Sequence, residues 1–302
     1  MTDLVVRPLV AGEESLFDSM PDPLPQLRQF GYAEGLAGGG YRPEHTWVAL
    51  RGGRVVGRAA WCLPPGAVGE PWLERFDLAA EPEVGATLLR AAHRAFGGPR
   101  TYYAALPAHW RRRPEVLAVA EAPMAAARLA GLVERGERLR CSWTGTPLPT
   151  PSGRYTFRPA AGPAEIDALV ARVADPEVLT GREVARAVHG VDLATDPLAW
   201  LGRSAGAWRI ALRAGEPVGL VGTAGDACYP LIAYLGLLDE AALAELLAEA
   251  VRVLADGGAH EVVADVDAHR VRVLAELERT GFRQLRSRVV FVPEQTGGRC
   301  GT

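Results

Sequence analysis

The feature that most limits what this chain can fold into is that it repeats itself. Four stretches recur in the same order about half a chain apart. LVVRPLVAGEESLF (residues 4–17) returns as YTFRPAAGPAEIDALV (155–170), each with an Arg-Pro pair, Arg7-Pro8 and Arg158-Pro159, ending an apolar strand pattern before a small-residue turn and an acidic helix start. VALRGGRVVGRAAW (48–61) returns as IALRAGEPVGLVGT (210–223). Both read as β-hairpins, because an apolar strand ends at Arg-x-Gly, a turn that calls for positive φ, and a second strand carries Val-Gly. FDLAAEPEVGATLLRAAHRAF (76–96) returns as LGLLDEAALAELLAEAVRVLADGG (235–258), a strand, an acidic turn and an amphipathic helix. Its apolar face is Val84, Leu88, Leu89, Ala92 and Phe96 in one copy and Leu243, Leu246, Leu247, Ala250 and Leu254 in the other. LVERGERLRCSW (132–143) echoes LERTGFRQLRSRVVF (277–291). Matches in one order mark a tandem duplication. The expected domains are residues 1–144 and 154–293, joined by the proline-rich linker GTPLPTPSG (145–153) and followed by an unstructured tail, 294–302.

The stretch EVVADVDAHRVRVLAELERTGFRQLRSRVVF (261–291) shows how each copy closes. Val262, Val263, Asp265 and Val266 read as a buried strand, and Val271, Leu274 and Leu277 then recur at helical spacing. The helix stops at Gly281, which tolerates the left-handed conformation, and Phe282 plugs the turn into a strand over 284–292. Each half therefore reads β, one or two helices, a β-hairpin, β, α, β, α, β. This order, with the Gly-Phe stop, resembles the GNAT superfamily of acyl-CoA-dependent N-acetyltransferases over nearly the whole chain. Leu277 stands where that family has a tyrosine in its Tyr-x-x-x-Gly-Phe type signature, and Leu132 takes that place in the first half.

The resemblance implies an α/β (α+β) fold of two tandem GNAT-like domains, each a mixed, mostly antiparallel sheet flanked by helices. It also implies transfer of an acetyl or other acyl group from acetyl-CoA to the amine of a small molecule. Such proteins hold pantetheine on backbone groups of the fourth strand, here Phe76, Asp77 and Leu78, and pyrophosphate on N–H groups opening the next helix, through Arg/Gln-x-x-Gly-x-Gly/Ala. In AAEPEVGA (79–86), Gly85 and Ala86 fall on the end of that motif. Ala80 and Glu83 depart from it, and Arg90 or Arg94 would have to offset Glu81 and Glu83. LLDEAALA (237–244) has no glycine. Acids at a helix start also stabilise the first turn through the helix dipole, which the sequence favours for both loops. The family's general base maps to Glu74, although the residues themselves favour a solvent-facing strand carboxylate paired with Arg75 or a neighbour. Tyr102 and Tyr103 on the neighbouring strand could replace the missing tyrosine acid, Tyr103 being the one put forward, against the favoured reading of plain strand packing. Cys228, Tyr229 and Tyr234 near the second copy's fourth strand read as filler. AHWRRRPE (108–115) could contact the cofactor's 3′-phosphate or an acidic acceptor, against the favoured reading of a solvated loop, and His269 and Arg270 read as helix capping and surface ion pairs. The irregular wall in each half, residues 21–45 and 175–207, is where the resemblance puts the acceptor.

Composition narrows the classes. A net charge of −3 and a pI near 6.1 give no global pull on nucleic acid or anionic membrane. All 33 basic residues are arginine, so any anion site must use Arg or backbone N–H. The four cysteines, Cys62, Cys141, Cys228 and Cys300, lie far apart with no metal-ligand spacing, the pattern of reduced cytoplasmic thiols, and no metal is expected. No signal peptide or membrane span is legible. A duplicated chain is its own pseudo-dimer, so monomer and homodimer both remain open. The competing functional reading is a catalytically inactive tandem protein, its cofactor loops decayed, that binds ligands or serves as a scaffold.

Overall fold

The computed structural model describes residues 3–28, 31–202, 207–225 and 230–294. Its first strand, β1 (Leu4–Pro8), leads into the short helix α1 (Glu14–Asp18). The repeated Arg-Pro motif serves this junction: Arg7 Nη1 and Nη2 donate to Glu13 Oε2 and Oε1 at 2.7 and 2.8 Å. α2 (Tyr32–Ala37) stacks Tyr32 on Phe17 with ring centroids 4.3 Å apart. β2 (Thr46–Arg51) and β3 (Arg54–Cys62) form the expected hairpin, whose turn residues Gly52 and Gly53 have φ of 59° and 77°. Positive φ at both central positions matches the turn's twist to that of the strands, hence the two glycines. β4 (Trp72–Leu78) pairs antiparallel with β3. α3 (Pro82–Ala95) then crosses over to β5 (Tyr102–Pro107), which lies parallel to β4, and α4 (Pro114–Leu129) precedes β6 (Leu132–Trp143).

The second copy repeats this plan. β7 (Thr156–Pro159) and α5 (Pro163–Val170) carry Arg158 on Glu165, at 3.0 and 2.5 Å. The irregular wall contributes β8 (Val178–Leu179), α6 (Arg182–His189) and α7 (Pro197–Leu201). The hairpin is β9 (Trp208–Arg213) and β10 (Glu216–Ala224), followed by β11 (Leu231–Leu237), α8 (Leu243–Asp256), β12 (Val262–Asp267), α9 (Val271–Arg279) and β13 (Arg283–Pro293). α9 ends as expected: Gly281 has φ 97°, Phe282 N donates to Leu277 O at 2.9 Å, and the Phe282 ring is buried.

The chain divides into Met1–Glu137 with Ser287–Thr302, and Arg138–Arg286. This differs from boundaries at 144 and 154. In the first unit the strand order is β1-β2-β3-β4-β5, then residues 287–293 of β13, then 132–137 of β6; in the second it is 138–143 of β6, then β12-β11-β10-β9-β7. The proline-rich segment belongs to the second unit, where Trp143 Nε1 donates to Thr146 O at 2.8 Å and Leu148 packs on the core. The reason is side-chain fit: Val289 and Phe291 fill the first unit's core, with Phe291 stacked 5.6 Å from Tyr102, while Cys141 and Trp143 fill the second's. In the first unit α3 and α4 bury Leu88, Leu89 and Met124 against Leu73 and Phe76, and the cluster of Phe17, Tyr32, Tyr41 and Val48 covers the sheet near α1 and α2.

Candidate active site

In the first unit β4 and β5 share one register pair, Leu73 with Tyr102, tied by Leu73 N donating to Thr101 O at 2.8 Å. Beyond it the strands diverge, and a cavity of about 30 Å³ opens between them and α4, lined by Glu74, Phe76, Asp77, Tyr102, Ala104 and Met124 among others. A β-bulge marks the narrow end: Ala60 faces Arg75 and Trp61 faces Leu73, leaving Glu74 without an opposite residue. A bulge re-aims its side chain, and here it turns a carboxylate into the wedge. The Cys62 thiol donates a hydrogen bond to Glu74; burial and the neighbouring carboxylate push that thiol's pKa up. Burial and Glu74 also push up the Tyr41 hydroxyl.

On the sheet face that Arg75 and Asp77 share, an open basin of about 490 Å³ is lined by Asp18, Asp22, Glu34, Arg28, Arg58 and Arg75. Arg28 borders both spaces. It donates through Nη2 to Asp77 Oδ1 at 3.0 Å and through Nε to Asp22 Oδ2 at 2.8 Å. Arg58 donates through Nε to Asp77 Oδ2 at 2.8 Å and through Nη1 to Phe17 O and Met20 O at 2.9 and 2.7 Å. A buried carboxylate is tolerable when charged donors satisfy it in this way. Burial raises the Asp22 pKa, but the Arg28 hydrogen bond and charge, the Leu24 N–H and the Arg58 charge together outweigh it, and the net direction is down.

The sequence-derived residues are brought together in part. Glu74, Phe76 and Asp77 line the wedge; Leu78 lies at the wide end of β4, half-buried. Tyr103 is absent from the lining: it packs 6.4 Å from the Trp72 ring, with Arg288 over its face. Alternation along β5 instead turns Tyr102 to the wedge, against Phe76 at 5.7 Å, and burial pushes its hydroxyl pKa up. Gly85 lies inside α3, facing the sheet: a Cβ there would meet Ala126 at 2.8, Leu78 at 2.9 and Phe76 at 3.0 Å. Its smallness is a packing requirement. Ala86 is buried beside it, and Arg90 is exposed and donates to Leu129 O at the end of α4. The start of α3 suits an anion poorly. Pro82 removes one N–H, and Glu81, paired with Arg51 at 3.1 Å, already places a carboxylate there. Leu132 opens β6, outside any helix, and Leu277 is buried on α9. Within 108–115, Arg111 pairs with Glu137 and covers Trp110, and Arg113 pairs with Glu115.

The second unit has the same wedge and fills it. β11 and β12 pair only at Leu231 and Val263, and the bulge recurs at Ala233, where no carboxylate is available. β8 lies in the gap, pairing Leu179 with Tyr234 and Val178 with Leu235. Thr180 N donates to Ala233 O at 3.0 Å, and the Thr180 hydroxyl bridges the splayed strands, donating to Ile232 O at 2.5 Å and accepting from Asp265 N at 2.9 Å. Arg138 Nη2 donates to Leu179 O at 2.6 Å, and Arg270 holds Glu177 at 2.7 Å. At the helix start Asp239 Oδ1 accepts from Ala241 N at 3.0 Å. The charged pair Arg58–Asp77 corresponds by register to Leu220–Gly236, so this unit's matching face is apolar. Tyr234 is fully buried; Cys228, Tyr229 and Cys300 lie outside the described residues.

The residues in or beside these spaces to which the sequence reading gave no site role are Arg28, Arg58, Arg75 and Cys62. A comparison of the copies carries a signal for the charged pair beside the basin, Arg58 against Leu220 and Asp77 against Gly236. Among the described residues no cluster of three or more His, Cys, Asp or Glu could hold a metal ion, and no helix is long and apolar enough to cross a membrane. Cys62 and Cys141 are buried free thiols.

No family model and no curated protein matches the sequence. Solved structures do resemble it. A GCN5-related N-acetyltransferase from Sphaerobacter thermophilus is 14% identical, covers 95% of this chain and 94% of its own, and gives a TM-score of 0.59. A tandem GNAT protein from the clavulanic acid biosynthesis pathway is 16% identical over 96% of this chain and 98% of its own, with a TM-score of 0.44. A GNAT-family acetyltransferase from Colwellia psychrerythraea is 13% identical over 95% and 98%, at 0.46. The last two scores are too low to support anything further. With the splayed parallel strands and the repeated topology, the first likeness leads to the conclusion that this chain has the GNAT acetyltransferase fold, carried as two tandem units.

Proposed function

We propose that the first unit transfers an acetyl group from acetyl-CoA to a small-molecule amine, and that the second unit is a structural partner whose own wedge is closed. The supporting observation is the asymmetry of the two wedges: one holds Glu74 at its bulge beside an open basin, the other holds Ala233 and is filled by β8. Parallel strands that part after one register pair leave β4 a free edge, and among the described residues no backbone bond joins residues 21–28 to it. That edge suits the amides of a pantetheine arm. At about 30 Å³ the cavity is smaller than the arm, so Leu24 and Arg28 must withdraw to admit it. The acidic start of α3 does not suit pyrophosphate, which leaves the nucleotide end to be held elsewhere.

When bound, acetyl-CoA supplies the thioester carbonyl. Glu74 accepts the proton that the amine nitrogen must lose, with the Cys62 thiol fixing the carboxylate's orientation. The amine nitrogen bonds to the acetyl carbon as the C–S bond breaks and CoA leaves as its thiolate; Tyr102, with its raised pKa, keeps a proton at its hydroxyl next to the same space and can hydrogen-bond that thiolate. The test is calorimetry of acetyl-CoA against the full chain and against Ala104→Leu, which adds three carbons to the lining. One site per chain is expected, lost in the variant. Absence of heat at millimolar acetyl-CoA, with the fold intact, would instead support the second reading, a non-catalytic ligand-binding protein, which the small cavity and the acidic α3 start favour.

A further inference from the structure

We infer that the acceptor is a zwitterion of the amino-acid type, an amine only a few bonds from an anionic oxygen group. The inference rests on the acetyl-transfer reading for the amine's role, but the basin itself supplies the chemistry. Its floor is guanidinium. Arg58, with 3% of its side chain exposed, spends Nε on Asp77 and Nη1 on two carbonyls, leaving Nη2 without an acceptor among the described residues. Arg28 likewise spends Nε and Nη2 on Asp22 and Asp77, leaving Nη1. Arg75, 4% exposed, adds a third guanidinium to the lining. Because Arg58 and Arg28 are held rigidly by their carboxylates, their remaining N–H groups are preorganised donors for an anion. The exposed carboxylates at the rim, Asp18 and Glu34, draw in an ammonium.

Spacing fixes how close the two groups of the ligand must be. Glu74, the proposed base, and Arg75, on the basin floor, are adjacent on β4, and the bulge between them breaks the alternation: Glu74 meets Cys62 and Tyr41 while Arg75 lies over the Tyr41 ring at 5.8 Å, so both side chains turn to the same face. An amine that reaches Glu74 while its anionic group stays on the arginines must carry the two within a few bonds of each other. A carboxylate and a phosphate share this chemistry.

The experiment uses the full-length chain in two measurements. Calorimetry without acetyl-CoA compares α-amino acids, aminoalkyl phosphates and the matching amides and plain amines; thiol release with acetyl-CoA then compares the same panel. The anionic amines are expected to bind and react roughly 10- to 100-fold better than their uncharged counterparts, the worth of charge-assisted hydrogen bonds. Arg28→Gln should cut that ratio about tenfold. A better response to the carboxylates or to the phosphates identifies the anion. Equal acetylation of neutral amines overturns the zwitterion and leaves acetyl transfer standing. Selective binding without thiol release does the reverse. Failure of every anionic amine to bind at millimolar concentration overturns the inference outright.

Discussion

Thr180→Val tests whether the second wedge is closed by its own chain. The Thr180 side chain is 1% exposed, and its hydroxyl is the shared partner of Ile232 O at 2.5 Å and Asp265 N at 2.9 Å, groups on two strands that have no other ladder bond at that level. Valine keeps the shape and removes both bonds. A buried backbone group left without a partner costs about 1–3 kcal/mol, so the pair is worth about 3 kcal/mol after partial relaxation. For a unit of this size that lowers the melting temperature by about 6–12 °C. Scanning calorimetry reads the shift, and hydrogen exchange at the Asp265 amide places it in the second unit, where protection should drop most. The stoichiometry of acetyl-CoA binding should stay at one, since β8 still pairs with β11 at Val178 and Leu179 and occupies the gap. A shift under about 1 °C with unchanged Asp265 protection would refute the idea that this hydroxyl bridges the strands.

Four further outcomes follow from the same geometry. Burial, and then Arg100, lower the His93 pKa from 6.5 to about 4, so the unfolded chain takes up a proton that the folded one refuses; stability held above pH 6.5 should fall by about 3 kcal/mol as pH drops to about 4, and His93→Gln should flatten that dependence in urea melts at pH 7 and 4.5. Ala214, at φ 51°, sits in the left-handed region, and Ala214→Gly should stabilise the second hairpin by about 1 kcal/mol in denaturant titration. Gly85→Ala should destabilise the first unit by about 1–2 kcal/mol, because contacts at 2.8–3.0 Å outweigh the gain in helix propensity. Glu74→Gln should leave acetyl-CoA affinity intact and slow acetyl transfer about 10²- to 10⁴-fold in steady-state assays.

The elements that local chemistry dictates were legible in the residues. The Arg-Pro junctions, the two hairpins and the Gly281-Phe282 stop each depend on neighbours a few positions away, and each forms as the pattern indicates. The strand–helix–strand order of both copies was readable for the same reason. The place of Glu74 on β4 is legible because that strand is recognisable from its residues. For Tyr102 and Tyr103, alternation says that the two face opposite ways without saying which face meets the wedge.

What the sequence settled by itself was the duplication and the order of strands and helices, since apolar period, turn residues and repeat spacing act over short range. Tertiary structure alone decided which closing strand completes which core, because residues 132–143 and 283–293 both offer an alternating pattern and only the packing of Phe291 or Trp143 separates them. It also decided that an irregular wall segment supplies Val178–Leu179 to close one wedge, while in the other copy Arg28 reaches Asp77 and leaves a basin beside it. Those contacts join residues about 50 positions apart, and no local pattern encodes them.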